Sequence, residues 1–166
     1  MYKILVISDT HRKISHVIDL IDDISDLNHI IHLGDVVEDA QDLKALYDVP
    51  FDFVAGNCDF YAQDSIAPKV KVVSICGKSF YLTHGHQEGV KYSLDNLAYI
   101  ADTKKYDVIL FGHTHQPIMT YYHDTLILNP GSISEPRNSK FPSYAIIQID
   151  AEARIHGTLN DLKKVF

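Results

Sequence analysis

The chain has 166 residues, 46% of them hydrophobic and 22% charged, with a formal net charge of −7. That composition argues against a disordered chain, and the lack of any Lys/Arg stripe argues against nucleic-acid binding by phosphate neutralisation. The two cysteines, Cys58 and Cys76, stand in unrelated contexts, which points away from a disulfide framework and toward a reducing, cytoplasmic setting, and no run reaches the ~18 apolar residues of a membrane span.

Residues 3–8 are apolar and β-branched and predict a strand buried on both faces, too short for the core of a signal peptide. Val17, Ile18, Leu20, Ile21, Ile24 and Leu27 recur at helical spacing and give one apolar face. Residues 29–33 form the next strand, 39–47 a short helix and 51–55 a third strand. This βαβαβ rhythm predicts a parallel sheet with right-handed crossovers. The pattern then changes. Residues 70–75 and 78–83 flank Cys76-Gly77, a hairpin signal. Ser93 is placed to cap a helix running to residue 105, with Leu94, Leu97, Ala98 and Ala101 inward. Residues 108–111 read as a strand, and 118–122 and 126–128 as a hairpin around His123-Asp124-Thr125. Residues 143–149 and 153–159 make a last antiparallel pair. The expectation is an α/β chain of two packed sheets with helices on the outer faces, forming a single domain over residues 1–166 without repeats or linkers.

Histidine is the compositional outlier, at 10 residues. His16, His29, His32, His123 and His156 lack a motif and read as surface or packed side chains. The other five end strand-like runs, together with carboxylates and an amide: Ser8-Asp9-Thr10-His11, Leu33-Gly34-Asp35, Ala55-Gly56-Asn57-Cys58-Asp59, Thr83-His84-Gly85-His86 and Phe111-Gly112-His113-Thr114-His115. Ligands gather beyond the carboxyl ends of strands in open α/β sheets. These endings all carry oxygen or imidazole donors, Asp9, His11, Asp35, Asn57, His84, His113 and His115 among them, and so make a candidate metal centre. The spacing in Asp9-x-His11 and His113-x-His115 predicts, for extended segments, paired side chains on one face. The adjoining glycines allow tight turns. Asp35 is the natural bridge, having two oxygens for two metals. Mixed imidazole, carboxylate and amide donors suit Mn, Fe, Zn, Co or Ni better than Ca. A cysteine phosphatase would need Cys-x5-Arg, and the residues six beyond Cys58 and Cys76 are Asp64 and Leu82.

The ordered set Asp-x-His, Gly-Asp, Gly-Asn, His-Gly-His, Gly-His-x-His resembles the calcineurin-like metallophosphoesterases. The Gly56-Asn57-Cys58-Asp59 variant, Asn129-Pro130-Gly131-Ser132 and Pro136-Arg137 look most like the small YfcE-type phosphodiesterases, over residues 4–159. The resemblance implies a four-layer αββα sandwich of two mixed sheets. It also implies two divalent ions, one held by Asp9, His11, Asp35 and His115, the other by Asp35, Asn57, His84 and His113, with Mn²⁺ the activating ion. Two ions ~3.5–4 Å apart can generate a bridging hydroxide that attacks phosphorus in line, without a phosphoenzyme. The implied substrate is a small phosphodiester, with a phosphomonoester as the alternative. The implied assembly is a dimer or tetramer. A non-catalytic scaffold, as in the retromer subunit of the superfamily, is the competing role, and ligand loss would mark it. The chain departs from most members at Cys58, where a histidine is usual. A thiol has a pKa of ~8.5 and donates weakly. General acid catalysis is worth ~10²–10⁴-fold, and alkoxide leaving groups would suffer most from losing it. The catalytic candidates are thus Asp35, Asn57, Cys58 and His86, with Asn57 and Arg137 binding substrate, Arg137 through its bidentate guanidinium. Cys58 has the alternative of a small residue packed beneath the metals, and His86 of a pocket wall. Asp59 is read as bonding a ligand histidine from behind or closing the turn. Tyr61, Tyr92 and Tyr99 are candidates for a substrate-cleft wall.

Overall fold

Alternation along the first strand decides which faces it buries. In the computed structural model, which describes residues 1–63 and 66–163, β1 (Tyr2–Ile7) directs Ile4 and Val6 to one core and Leu5 and Ile7 to another. Residues 64–65 and 164–166 of the expected domain lie outside the described residues. α1 (Ser15–Asp23), β2 (His29–His32), α2 (Val37–Leu46) and β3 (Phe51–Phe53) follow. β1, β2 and β3 pair in parallel. The chain then forms the β4 (Val70–Ile75) and β5 (Lys78–Thr83) hairpin, α3 (Asp95–Lys104), β6 (Val108–Leu110), the β7 (Pro117–Tyr122) and β8 (Thr125–Pro130) hairpin, β9 (Ser143–Ile149) and β10 (Ile155–Asp161).

Two mixed five-stranded sheets result, ordered β10-β9-β1-β2-β3 and β4-β5-β6-β8-β7. Ile4, Val6, Phe80, Leu82, Leu110 and Leu128 are among the residues that fill the space between them. α1 and α2 cover the outer face of the first sheet through Val17, Leu20, Ile21, Ala40 and Leu43. α3 covers the outer face of the second through Leu97 and Ala101, against Ile109 and Ile127. This is the expected four-layer αββα sandwich. No helix among the described residues is long and apolar enough to cross a membrane.

Several boundaries differ from the sequence reading, whereas the expected hairpin around Cys76-Gly77 is found in place. The first helix ends at Asp23: Ile24 is extended and Asp26 takes φ 57°, because Ser25-Asp26 favours a turn. Leu27 still packs on the same core, but from a loop. At the start of α3 the backbone cap is Leu94, and the Ser93 hydroxyl accepts from the Asp95 N–H at 3.3 Å, one position early. The Cys76-Gly77 turn has φ 51° and 77°, the positive values of a type I′ hairpin turn, whose twist matches the flanking strands.

The open edges of the two sheets are joined at Asp52. On β3, its carboxylate lies 2.8 Å from His29 Nε2 of β2 and 2.6 Å from Lys71 Nζ of β4. Burial pushes this carboxyl up, but His29 and Lys71 outweigh that and hold it at about 2. A carboxyl lowered in the folded state stabilises fully above its unfolded pKa of ~4 and loses that contribution as pH falls toward 2. Wild type should therefore exceed Asp52→Asn by about 1–2 kcal/mol above pH 5, with the gap closing between pH 4 and 2. Denaturant unfolding at several pH values checks this, and a gap that ignores pH would contradict it.

Candidate metal centre

The centre forms where strands of both sheets run out. β1, β2, β3, β5 and β6 end at Ile7, His32, Phe53, Thr83 and Leu110, and each motif begins at or shortly after that end. The backbone does not stay extended there. Asp9, His11, Asp35, His113 and His115 have φ of 57°, 45°, 59°, 69° and 59°. The expectation of extended Asp-x-His and His-x-His segments is thus corrected: left-handed turns, not strand alternation, aim these side chains. Left-handed backbone in non-glycine residues costs of order 1–3 kcal/mol each and concentrates at functional sites.

Close approach explains two of the glycines. A Cβ on Gly56 would collide with the Asp35 carboxylate and backbone nitrogen, and one on Gly112 with the Ser8 hydroxyl. These loops meet too closely for any side chain there.

The first group of ligand atoms is compact. Asp9, His11, Asp35 and His115 each offer an atom within 4.8 Å of all the others. His115 Nδ1 lies 2.6 Å from the Glu135 carbonyl and so donates to it, which leaves Nε2 with a free lone pair. That nitrogen stands 3.1 Å from Asp9 Oδ1 and 3.3 Å from His11 Nε2. Asp9 Oδ1 is buried without an aligned hydrogen-bond donor. Buried polar atoms rarely go unpaired. Facing lone pairs and an orphaned carboxylate oxygen form a cradle for a cation. Burial pushes the His115 imidazole down, but Asp9 and the Glu135 carbonyl outweigh it and raise its pKa. The site therefore draws positive charge, which a proton or a metal ion can supply.

The second group adjoins it. His84 is fully buried and its Nδ1 donates to the Leu33 carbonyl at 2.7 Å. Its Nε2 faces Asn57 Oδ1 at 3.2 Å and Asp35 Oδ1 at 3.4 Å. The His113 ring lies 5.1 Å from the His84 ring, and its backbone N–H donates to Asp9 Oδ2 at 3.2 Å. Asp35 thus divides its oxygens: Oδ1 toward His84, Oδ2 toward His11 at 4.0 Å. Burial raises the Asp35 carboxyl, but His84 and the Cys58 N–H outweigh it and hold it well below the usual carboxylate range. Burial, then the neighbouring His84 and Lys91, push His113 down to about 4.

The remaining candidates divide. Cys58 is exposed, so it is not packed beneath the site. Its backbone N–H donates to Asp35 Oδ1 at 3.0 Å, while partial desolvation of the thiol and the Asp35 charge push its pKa up to about 11. The His86 ring lies 5.5 Å from that of His84, tilted, and 6.0 Å from that of His113, edge-on, and its Nδ1 is buried with no hydrogen-bond partner among the described residues. Arg137 is exposed and reaches the ligand loop through its backbone N–H, 3.2 Å from the His115 carbonyl. Tyr61 is exposed beside Cys58 and Arg12, whereas Tyr92 and Tyr99, 95% and 69% exposed, project into solvent.

Asp59 does something other than bond a ligand histidine. Its buried carboxylate accepts four backbone N–H groups, from Asp35, Val36, Val37 and Gly56, at 2.7–3.1 Å. It fastens the Asp35 loop to the Asn57 loop and caps the start of α2. His32, read as merely packed, does comparable work. Gly34 N–H donates to its Nδ1 at 3.1 Å, and its Nε2 meets the Thr10 hydroxyl at 3.1 Å. Burial pushes its pKa down to about 4, so the ring stays neutral. Asn129 ties the Gly112 carbonyl to the Gly131 N–H, and Ser132 and Ser134 both donate to the Asp9 carbonyl at 2.8 Å. Nothing in the His29-Ile30-Ile31-His32 run marks His32 for this role.

Comparison with known proteins gives the family. The calcineurin-like phosphoesterase superfamily domain matches residues 2–152. The probable metallophosphoesterase YsnB of Bacillus subtilis is 36% identical over 106 residues, covering 63% of this chain and 60% of that relative's length. Phosphodiesterase YfcE of Escherichia coli is 32% identical over 114 residues, 65% of this chain and 56% of the relative. A crystal structure of a predicted phosphoesterase from Streptococcus pneumoniae superposes with a TM-score of 0.81 at 28% identity, over 97% of this chain and 90% of that one.

Proposed function

The chain belongs to the calcineurin-like phosphoesterase superfamily, and on that footing we propose that it hydrolyses phosphodiesters at a centre holding two divalent ions, with Mn²⁺ the activating metal. The observation that carries the reading is the division of Asp35, one oxygen toward His84 and the other toward His11. Asp9, His11, Asp35 and His115 would hold one ion, and Asp35, Asn57, His84 and His113 the other. Such ions, when bound, acidify water and offset charge on a phosphoryl group.

The chain's own residues set the geometry. Leu33 and Glu135 carbonyls fix the His84 and His115 tautomers. Asp59 and His32 hold the loops that carry Asp35 and Asn57. Asn57 is exposed at the rim, where its amide can meet a substrate oxygen. All seven ligand positions are filled, which favours an enzyme over a scaffold. Two free cysteines, both exposed, suit a reducing cytoplasm.

Metal-stripped protein resupplied with each ion in turn, and assayed on phosphodiesters and phosphomonoesters, tests the proposal. Diester hydrolysis strongest with Mn²⁺ is expected. Turnover of monoesters alone would reassign the substrate, and no turnover with any ion would promote the scaffold.

Cys58 contributes through its backbone, since its N–H holds Asp35 Oδ1 while its side chain is exposed. Cys58→Ser should keep turnover of a dialkyl phosphodiester, whose alkoxide leaving group needs a proton, within about threefold, far from the ~10²-fold loss of a general acid. Steady-state kinetics on the alkyl diester checks this, and a loss of ~10²-fold there with little change on bis(p-nitrophenyl) phosphate would make the thiol a proton donor.

A further inference from the structure

A cleft of about 450 Å³ opens beside the centre, within the size range of small-molecule sites. Thr114, which stands between His113 and His115, forms part of its wall, so cleft and centre share one loop. Leu94 and Ile118 supply apolar surface and Gln116 a polar group. Two cations, Lys91 and Arg137, line the same cleft from separate segments. Both are exposed, and neither has an ion-pair partner among the described residues. Lys91 is close enough to act electrostatically on His113, and Arg137 on His115. In a chain of net charge −7, two uncompensated cations facing one cleft form a local anion-attracting patch. On the two-ion reading, the metals held by the seven ligands would themselves bind the phosphoryl group under attack. That leaves these two cations available to a different anionic group.

We propose that this cleft receives one ester substituent of the substrate, and that Lys91 and Arg137 select substituents bearing a second anionic group, such as a phosphorylated nucleoside. The inference rests on the phosphodiesterase reading and narrows its substrate class. The apolar surface of Leu94 and Ile118 would face the ring system, and the cations the second phosphate. A guanidinium and an ammonium engage a phosphate by charge-assisted hydrogen bonds, roughly twice as strong as neutral ones.

Two probes that differ by one group decide it: the p-nitrophenyl ester of thymidine 5′-phosphate, with and without a 3′-phosphate. With the Mn²⁺-loaded protein, kcat/KM should favour the 3′-phosphorylated ester by about tenfold or more. Lys91→Ala and Arg137→Ala should each shrink that preference, and the double variant should bring the ratio near one. Because the readout is a ratio on one enzyme, partial misfolding does not move it. Calorimetric binding of thymidine 3′,5′-bisphosphate against thymidine 5′-phosphate should show the same preference without turnover. A wild-type ratio near one, or a preference that survives the double variant, overturns the cleft assignment while leaving the hydrolase reading intact. Both esters falling equally in the variants would place the cations on the attacked phosphate instead, and also overturns it. No hydrolysis of either ester would sink the phosphodiesterase reading, and the calorimetric preference would then stand or fall on its own.

Discussion

Asp35→Asn is expected to lower kcat/KM for a phosphodiester by ~10³-fold or more, the equivalent of ~4 kcal/mol of lost transition-state stabilisation. The geometry says why the loss should be catalytic and not structural. Asp35 Oδ1 accepts the Cys58 N–H at 3.0 Å, and an asparagine oxygen can keep that bond. The amide nitrogen would then face His11, where Asp35 Oδ2 now stands at 4.0 Å. An amide nitrogen offers no lone pair to a metal, so one half of the centre loses its shared ligand. The metal-free variant should still unfold cooperatively, about 2–8 °C below metal-free wild type, since losing a buried, hydrogen-bonded charge costs ~1–2 kcal/mol. Thermal melts and steady-state kinetics together check the prediction. Near wild-type turnover would remove Asp35 from the centre.

Asp59→Asn should be the most damaging change outside the ligands themselves. The carboxylate accepts four backbone N–H groups, that of the ligand Asp35 among them, and acts through the backbone. Whichever way an asparagine is oriented, its NH₂ points at two of those donors. Two buried N–H groups would lose their acceptor, at about 1–3 kcal/mol each before relaxation. The start of α2 would also lose a negative charge at its positive end. The expected net loss is ~3 kcal/mol, or about 10 °C in melting temperature for a chain of this size. The loops carrying Asp35 and Asn57 would loosen together, weakening metal affinity by ~10–100-fold, as for other residues that orient ligands. A variant that melts normally but binds metal poorly would separate the two roles. A variant normal in both would contradict the clamp.

The strand ends were legible because they combine two signals. Apolar runs such as residues 3–8 and 29–33 announce buried strands, and the residues that follow them are the wrong chemistry for a core unless something binds there. Layering was legible for the same reason, since period-two alternation in β1 and helical spacing in α1 name the faces to be buried. What the motifs hid was the conformation of the loops. Asp9, His11, His113 and His115 take left-handed backbone, which residue type alone does not announce outside glycine. Val36, β-branched and at φ 78°, is the strongest such outlier. It sits where Asp59 accepts its N–H at 3.0 Å, so the restraint comes from a residue 23 positions away. His32 was hidden for a related reason: its partners, Thr10 and Gly34, come from two different loops. Residues that position ligands act through backbone groups, and backbone groups leave no mark in the sequence. The first helix shows the reverse error, in which good apolar spacing through Leu27 overran a Ser25-Asp26 turn.

The division of Asp35 between two sets of ligands is the central claim, and metal stoichiometry measured alongside activity tests it most directly. Stripped protein titrated with Mn²⁺ should take up two ions per chain, and hydrolysis of bis(p-nitrophenyl) phosphate should rise mainly as the second binds. Full activity at one equivalent, with no second site at millimolar Mn²⁺, would contradict it.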